Sequence, residues 1–127
     1  MKTSILIFIA LISFTSFSQV DCAKFKIGKF INIDKDKPKT TIERNDSIQT
    51  ERMGEIEVKL EITWINECTY KLKLVSGNIA FWKSRPKNAP NRELTVTITK
   101  TTNSSYFQET KIEGNDYVYK SEIIIVE

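Results

Sequence analysis

Alternation with a period of two dominates this chain. Ile56, Val58, Leu60, Ile62 and Trp64 alternate without a break against Glu55, Glu57, Lys59, Glu61 and Thr63. A strand over these positions presents one apolar and one charged face. Tyr70, Leu72 and Leu74 are interleaved with Lys71 and Lys73, and Leu94, Val96 and Ile98 with Thr95, Thr97 and Thr99. The last run is rich in β-branched residues, which suit a pleated, half-buried surface. Segments 25–33, 40–44, 47–51, 79–83, 106–112 and 117–126 read as further strands. Breaks fall at Asn45-Asp46, Gly54, Ser76-Gly77-Asn78, Asn103-Ser104 and Gly114-Asn115-Asp116. No stretch of ten residues beyond the N-terminal segment keeps a helical period. The expected fold is all-β, an antiparallel meander of eight or nine strands closed into a small barrel or folded as a compact sandwich. Closure removes exposed strand edges, which favours the barrel. The one long connection, 84–92, carries Pro86 and Pro90 and is the segment most able to move.

One hairpin register follows from the pattern. Tyr70, Leu72 and Leu74 must share a face with Trp64, Ile62 and Leu60. A two-residue turn at Asn66-Glu67 would pair Ile62 with Lys71 and bring lysines into the core. A three-residue loop restores the match, pairing Trp64 with either Cys68 or Tyr70. At the other end of the chain, Ile123-Ile124-Ile125-Val126 breaks alternation. It should be covered on both faces, bulged, or facing a partner.

The N-terminus changes the domain count. Lys2 precedes the unbroken apolar run Ile5 to Ile12, and Ser16-Phe17-Ser18 places small residues where a signal peptidase cuts. Residues 1–18 therefore read as a cleaved signal peptide. The apolar run is too short to span a bilayer, so no transmembrane segment is expected. Residues 19–127 form one β domain, exported to the periplasm or the cell exterior. In that compartment Cys22 and Cys68, the only two cysteines, most simply form a disulfide.

Charge and chemistry narrow the function. The chain has no histidine, which removes His-based triads and the commonest metal ligand. The net charge is small, so a nucleic-acid partner is not expected. Its sign alternates along the chain, positive over 21–39 and 71–100 and negative over 43–67 and 101–127. Neighbouring strands with complementary outer faces would show this pattern. Glu55, Glu57 and Glu61 share a strand face, but strand carboxylates opposite an apolar face are ordinarily solvated, and no nucleophile or phosphate-loop motif accompanies them. No catalytic, metal or cofactor site is expected.

The stretch from Cys22 to Phe30, with Gly28-Lys29-Phe30, resembles the opening of calycin-type barrels such as the lipocalins. The resemblance implies that Gly28 bends the first strand and that Phe30 plugs one end of a barrel. A larger part of the chain, 22–75, resembles a family of small exported bacterial proteins of unknown function. That likeness is carried by the early Cys with Gly28-Lys29-Phe30, by Arg44 to Glu51, by Ile62-Thr63-Trp64 and by Cys68-Thr69-Tyr70. It implies export and compactness.

Two non-enzymatic functions are consistent with these residues. Phe81, Trp82, Lys83, Arg85 and Lys87 set two aromatics beside three cations in front of the proline-containing loop. Adjacent residues on a strand face opposite ways, so one of Phe81 and Trp82 should be outward. Segment 81–92 would then contact an anionic macromolecule, glycan or lipid headgroup. The alternative is a lipocalin-like carrier, in which Phe30, Trp64, Tyr70, Leu72 and Leu94 line an interior for a small apolar ligand.

Overall fold

A computed structural model describes residues 20–34 and 38–126. The expected signal peptide and its cleavage site lie outside these residues. Eight strands follow one another as β1 (Gly28–Asn32), β2 (Thr40–Arg44), β3 (Ile48–Met53), β4 (Ile56–Asn66), β5 (Thr69–Gly77), β6 (Leu94–Thr101), β7 (Ser105–Ile112) and β8 (Val118–Ile125). Each pairs antiparallel with the next, and β8 returns to pair with β1, so the sheet closes into a barrel. Between barrel and sandwich, the barrel is what forms.

The β4–β5 register is the one that keeps the lysines out. Trp64 faces Tyr70, Ile62 faces Leu72 and Leu60 faces Leu74, while Lys71 and Lys73 are exposed. The device differs from a three-residue loop. Asn66 pairs with Thr69 across a two-residue turn, and a register shift at the half-exposed Ile65 supplies the offset that the alternation requires. In β8, Ile123 is fully buried, and Ile123 to Ile125 pair with β1 on one side and β7 on the other. The break in alternation marks the strand that closes the barrel.

The outer face carries ion pairs, of which only Lys29–Glu43 joins two of the segments of opposite net sign; the others form within a segment. Lys29 on β1 meets Glu43 on β2, Arg52 on β3 bridges Glu43 and Glu57, and Lys71 meets Glu93. An apolar outer band, the requirement of a lipid-facing barrel, is thus interrupted by ion pairs. Among the described residues no helix is long and apolar enough to cross a membrane.

Two stretches depart from the expected strands. Ala23–Phe25 is a 3-10 helix, η1, and β1 starts only at Gly28. Gly28 has φ 141°, which glycine adopts readily and L-residues avoid, and the chain turns there from η1 into the barrel wall. Ile79–Ser84, expected as a strand, is a six-residue α-helix, α1. The Asn78 side chain caps it by accepting the Phe81 amide, and its Nδ2 donates to the Glu55 carbonyl on the neighbouring turn. The cap and the docking decide a segment too short to show a period.

Candidate functional site

The two ends of the barrel differ. At the end holding η1 the barrel interior is filled by the buried rings of Phe25, Phe30, Tyr70 and Tyr106. Cys22 is disulfide-bonded to Cys68 with Cα atoms 5.4 Å apart, which fastens η1 across that end. Phe25, fully buried, packs edge-on against Tyr106 at 4.9 Å, and Phe30 lies 6.0 Å from the same ring. Trp64 packs against Tyr70 with the rings tilted and their centres 4.7 Å apart.

At the centre of this floor lies Arg44, 3% exposed. Its Nε donates to Gln49 Oε1 at 2.9 Å, Nη1 to the Phe25 carbonyl at 2.6 Å, and Nη2 to the hydroxyls of Tyr106 at 3.0 Å and Tyr70 at 3.2 Å. The guanidinium also sits 4.8 Å above the Phe30 ring. A buried cation is costly unless its donors are satisfied, and the floor supplies the acceptors and π faces that satisfy this one. Tyr70 passes its own proton to Gln108 Oε1 at 3.1 Å. Burial and the adjacent Tyr106 hold its hydroxyl well above the ordinary value, so it stays neutral.

Gln49 leads from this floor toward the other end. Its Nε2 donates to Glu51 Oε1 at 2.8 Å. Arg44, Gln49 and Glu51 thus form a relay along the inside of β2 and β3, set by the Arg44–Gln49 pairing. Above Glu51 the side chains cease to fill the barrel. Two adjoining cavities, about 220 Å³ and 280 Å³, share Glu51, Val58 and Phe81 in their linings. Leu60, Leu72, Leu74 and Leu94 also wall the first, with Arg85, Asn91 and Arg92 at its rim, and Thr40, Met53, Ile56 and Ser84 belong to the second. The inward residues Val58, Leu74, Leu94 and Ile112 keep accessible surface here, whereas Ile62, Tyr70 and Ile98 lower down are buried. The barrel is a cup.

Helix α1 and the loop after it roof the cup. Phe81 points to the cavities, while Trp82 is half exposed and donates its indole N–H to the Gly77 carbonyl at 3.0 Å. A Cβ on Gly77 would collide with the Phe81 ring, so the close seat of the helix requires glycine there. Arg85 stacks at 5.7 Å and 5.9 Å from the two rings, and its Nη2 donates to the carbonyls of Ala89 and Pro90, which folds the following loop over the mouth.

The expected site residues are therefore divided. Leu72 and Leu94 line a cavity. Phe30, Trp64 and Tyr70 do not, because the large aromatics fill the closed end, where η1 leaves no room above a ligand. Phe81 and Trp82 face different ways because they lie about 100° apart on a helix, not because they alternate on a strand. Lys83 and Lys87 are exposed, whereas Arg85 is half buried and engaged in the roof. Glu57 is ion-paired to Arg52 on the outer face, away from the cup. Among the described residues no group of three or more Cys, Asp or Glu side chains could hold a metal ion. Arg44, Gln49, Glu51 and Tyr106 were missed by the sequence reading. The signal was the phase of Arg44 with the apolar Ile42, carried through the hairpin to Gln49 and Glu51.

Comparison with protein-family models, with curated proteins and with solved structures finds no match.

Glu51 has a measurable consequence for stability. It lies deep in the barrel, and its accessible surface faces the cavity. Burial raises its pKa above the ordinary carboxylate value; the Gln49 hydrogen bond and the Arg44 charge oppose that shift without cancelling it. The folded state thus binds this proton more tightly than the unfolded chain does. The associated stability is complete below the unfolded-state pKa and is lost as pH rises through the folded one. Glu51→Gln keeps an acceptor for Gln49 and removes the charge. It should raise stability at pH 7 by on the order of 1 kcal/mol, with the gain vanishing below pH about 4. Urea unfolding of the two proteins at both pH values checks this; equal midpoints at pH 7 would show that Glu51 is not strained.

Proposed function

We propose that this protein is an exported, non-enzymatic binding protein that takes a small, largely apolar molecule into the roofed end of its barrel. The observation that carries the reading is the pair of adjoining cavities under Phe81, walled by leucines and Val58 and floored by a polar relay. Interior surface left unfilled beside a solidly packed half is the signature of a pocket, not of a core that failed to pack. The lipocalin-like reading is supported by the eight-stranded meander barrel and by Gly28 and Phe30 on its opening strand. Export is supported by the disulfide, a bond that persists in oxidising compartments.

Trp82 favours a second reading. Half exposed beside Lys83 and Lys87, it would suit an anionic macromolecule docking on the roof. Its indole N–H and the Arg85 guanidinium are already committed to the roof's own backbone, so this surface is less free than its composition implies.

Uptake of prodan, a neutral environment-sensitive dye, separates the two. The disulfide-bonded protein should bind it with a blue-shifted emission and a Kd on the order of 100 µM, as ordinary ligand efficiencies give for a molecule of that size. Val58→Trp, which fills both cavities from the wall, should abolish uptake while leaving the far-UV circular dichroism unchanged. No uptake by the native protein, or undiminished uptake by Val58→Trp, would overturn the pocket and leave the roof surface in front.

A further inference from the structure

Resting on that reading, we propose that the ligand carries a basic amine, and that Glu51 is the group that selects it. Glu51 lines both cavities and is the one carboxylate in either lining; in the second its neighbours are Met53, Ile56, Val58 and Phe81 with the hydroxyls of Thr40 and Ser84. Its Oε1 is taken by Gln49. Its Oε2 has no hydrogen-bond partner among the described residues, and no buried side-chain nitrogen or oxygen among them is left unsatisfied. Oε2 is therefore accessible, and the surface it reaches is the cavity. An acceptor held inside an apolar cup asks for a donor on whatever enters.

The nearby cations do not fill that role. Arg44 spends its four hydrogen bonds on Gln49, Phe25, Tyr70 and Tyr106 and meets Glu51 only through the Gln49 amide. No ion pair within 4.0 Å involves Glu51 among the described residues. Arg85 and Arg92 border the first cavity but not the second, whose lining besides Glu51 is uncharged. A carboxylate ligand in the second cavity would meet Glu51 as a like charge with no lining cation to offset it. An ammonium on a short alkyl chain would pair with Oε2 there while its methylenes lie along Met53, Ile56 and Val58. A charge pair formed away from water is stronger than one on the surface, and the buried relay behind Glu51 holds its carboxylate in place before the ligand arrives.

The test compares three ligands of equal length, n-hexylamine, 1-hexanol and hexanoate, as competitors of prodan at pH 8. Hexylamine should displace the dye at a concentration at least tenfold below the other two. Glu51→Gln should erase that preference while leaving the far-UV circular dichroism unchanged. Lowering the pH should weaken hexylamine and not hexanol, because protonating Glu51 removes the charge that pairs with the ammonium. The other charged or ionisable groups facing the site are Arg44 on β2, Arg85 and Arg92 in the roof and its loop, and Tyr70 on β5. Equal displacement by all three, a preference for hexanoate, or an amine preference that survives Glu51→Gln would overturn amine selection while prodan binding still upheld the pocket. Failure of prodan to bind would instead remove the pocket, and this proposal with it.

Discussion

Replacing Arg44 by alanine should destabilise the protein by about 3–5 kcal/mol, the largest single-residue loss expected anywhere in the fold. Two effects combine. The Phe25 carbonyl, Gln49 Oε1 and the hydroxyls of Tyr70 and Tyr106 lose a charged donor in a region closed to water, and an orphaned buried acceptor costs the full desolvation of that group. A void also opens under Phe30. Arg44→Met should recover the packing part alone and so fall less far. Arg44→Lys keeps the charge, but three donors on one nitrogen cannot reproduce a planar fork that reaches η1, β3, β5 and β7 together. Urea unfolding with an unchanged m-value would measure the series. A loss below 1 kcal/mol for Arg44→Ala would mean that the tyrosine and glutamine groups re-pair without it. A domain of this size has only about 5–10 kcal/mol to lose.

Removing the disulfide, as Cys22→Ser with Cys68→Ser, should cost about 2–4 kcal/mol. The bridge spans 46 residues, and on the chain-entropy model a closed loop of that length confers roughly 4 kcal/mol, an upper value. Its effect in the folded state is local. Without the tether, η1 is held on the floor by Phe25 and by the Arg44 bond to the Phe25 carbonyl. The cysteine and Arg44 substitutions therefore act on the same docked turn, and their combined cost should be less than additive. Prodan uptake, at the opposite end of the barrel, should be unaffected in the disulfide-free protein. Strict additivity, measured by the four-protein cycle in urea, would show the two anchors to be independent.

What the sequence determined by itself was whatever local pattern controls. A ten-residue alternation in β4 leaves one choice of face, and the lysines of β5 then leave one register against it, because a one-residue slip would bury charge. An even pair of cysteines left one simple bridge. The sign pattern of the charges anticipated only the Lys29–Glu43 pair, because Arg52 finds Glu43 and Glu57 within the same negative segment, across hairpins that net charge does not resolve. What only the tertiary structure decided depends on partners distant in sequence. Ile79 to Ser84 has the aromatic and β-branched content of a strand. It becomes a helix because Asn78 caps it, Glu55 anchors that cap and Gly77 makes room for Phe81. Arg44 and Glu51 belong to residue types almost never buried unless paired; Gln49 links the two, and the remaining partners of Arg44 come from η1, β5 and β7, as much as 62 residues away. Closing the sheet aims those polar residues inward. The same closure, with η1 stopping one end and α1 standing off the other, decides that the barrel is packed below Glu51 and open above it.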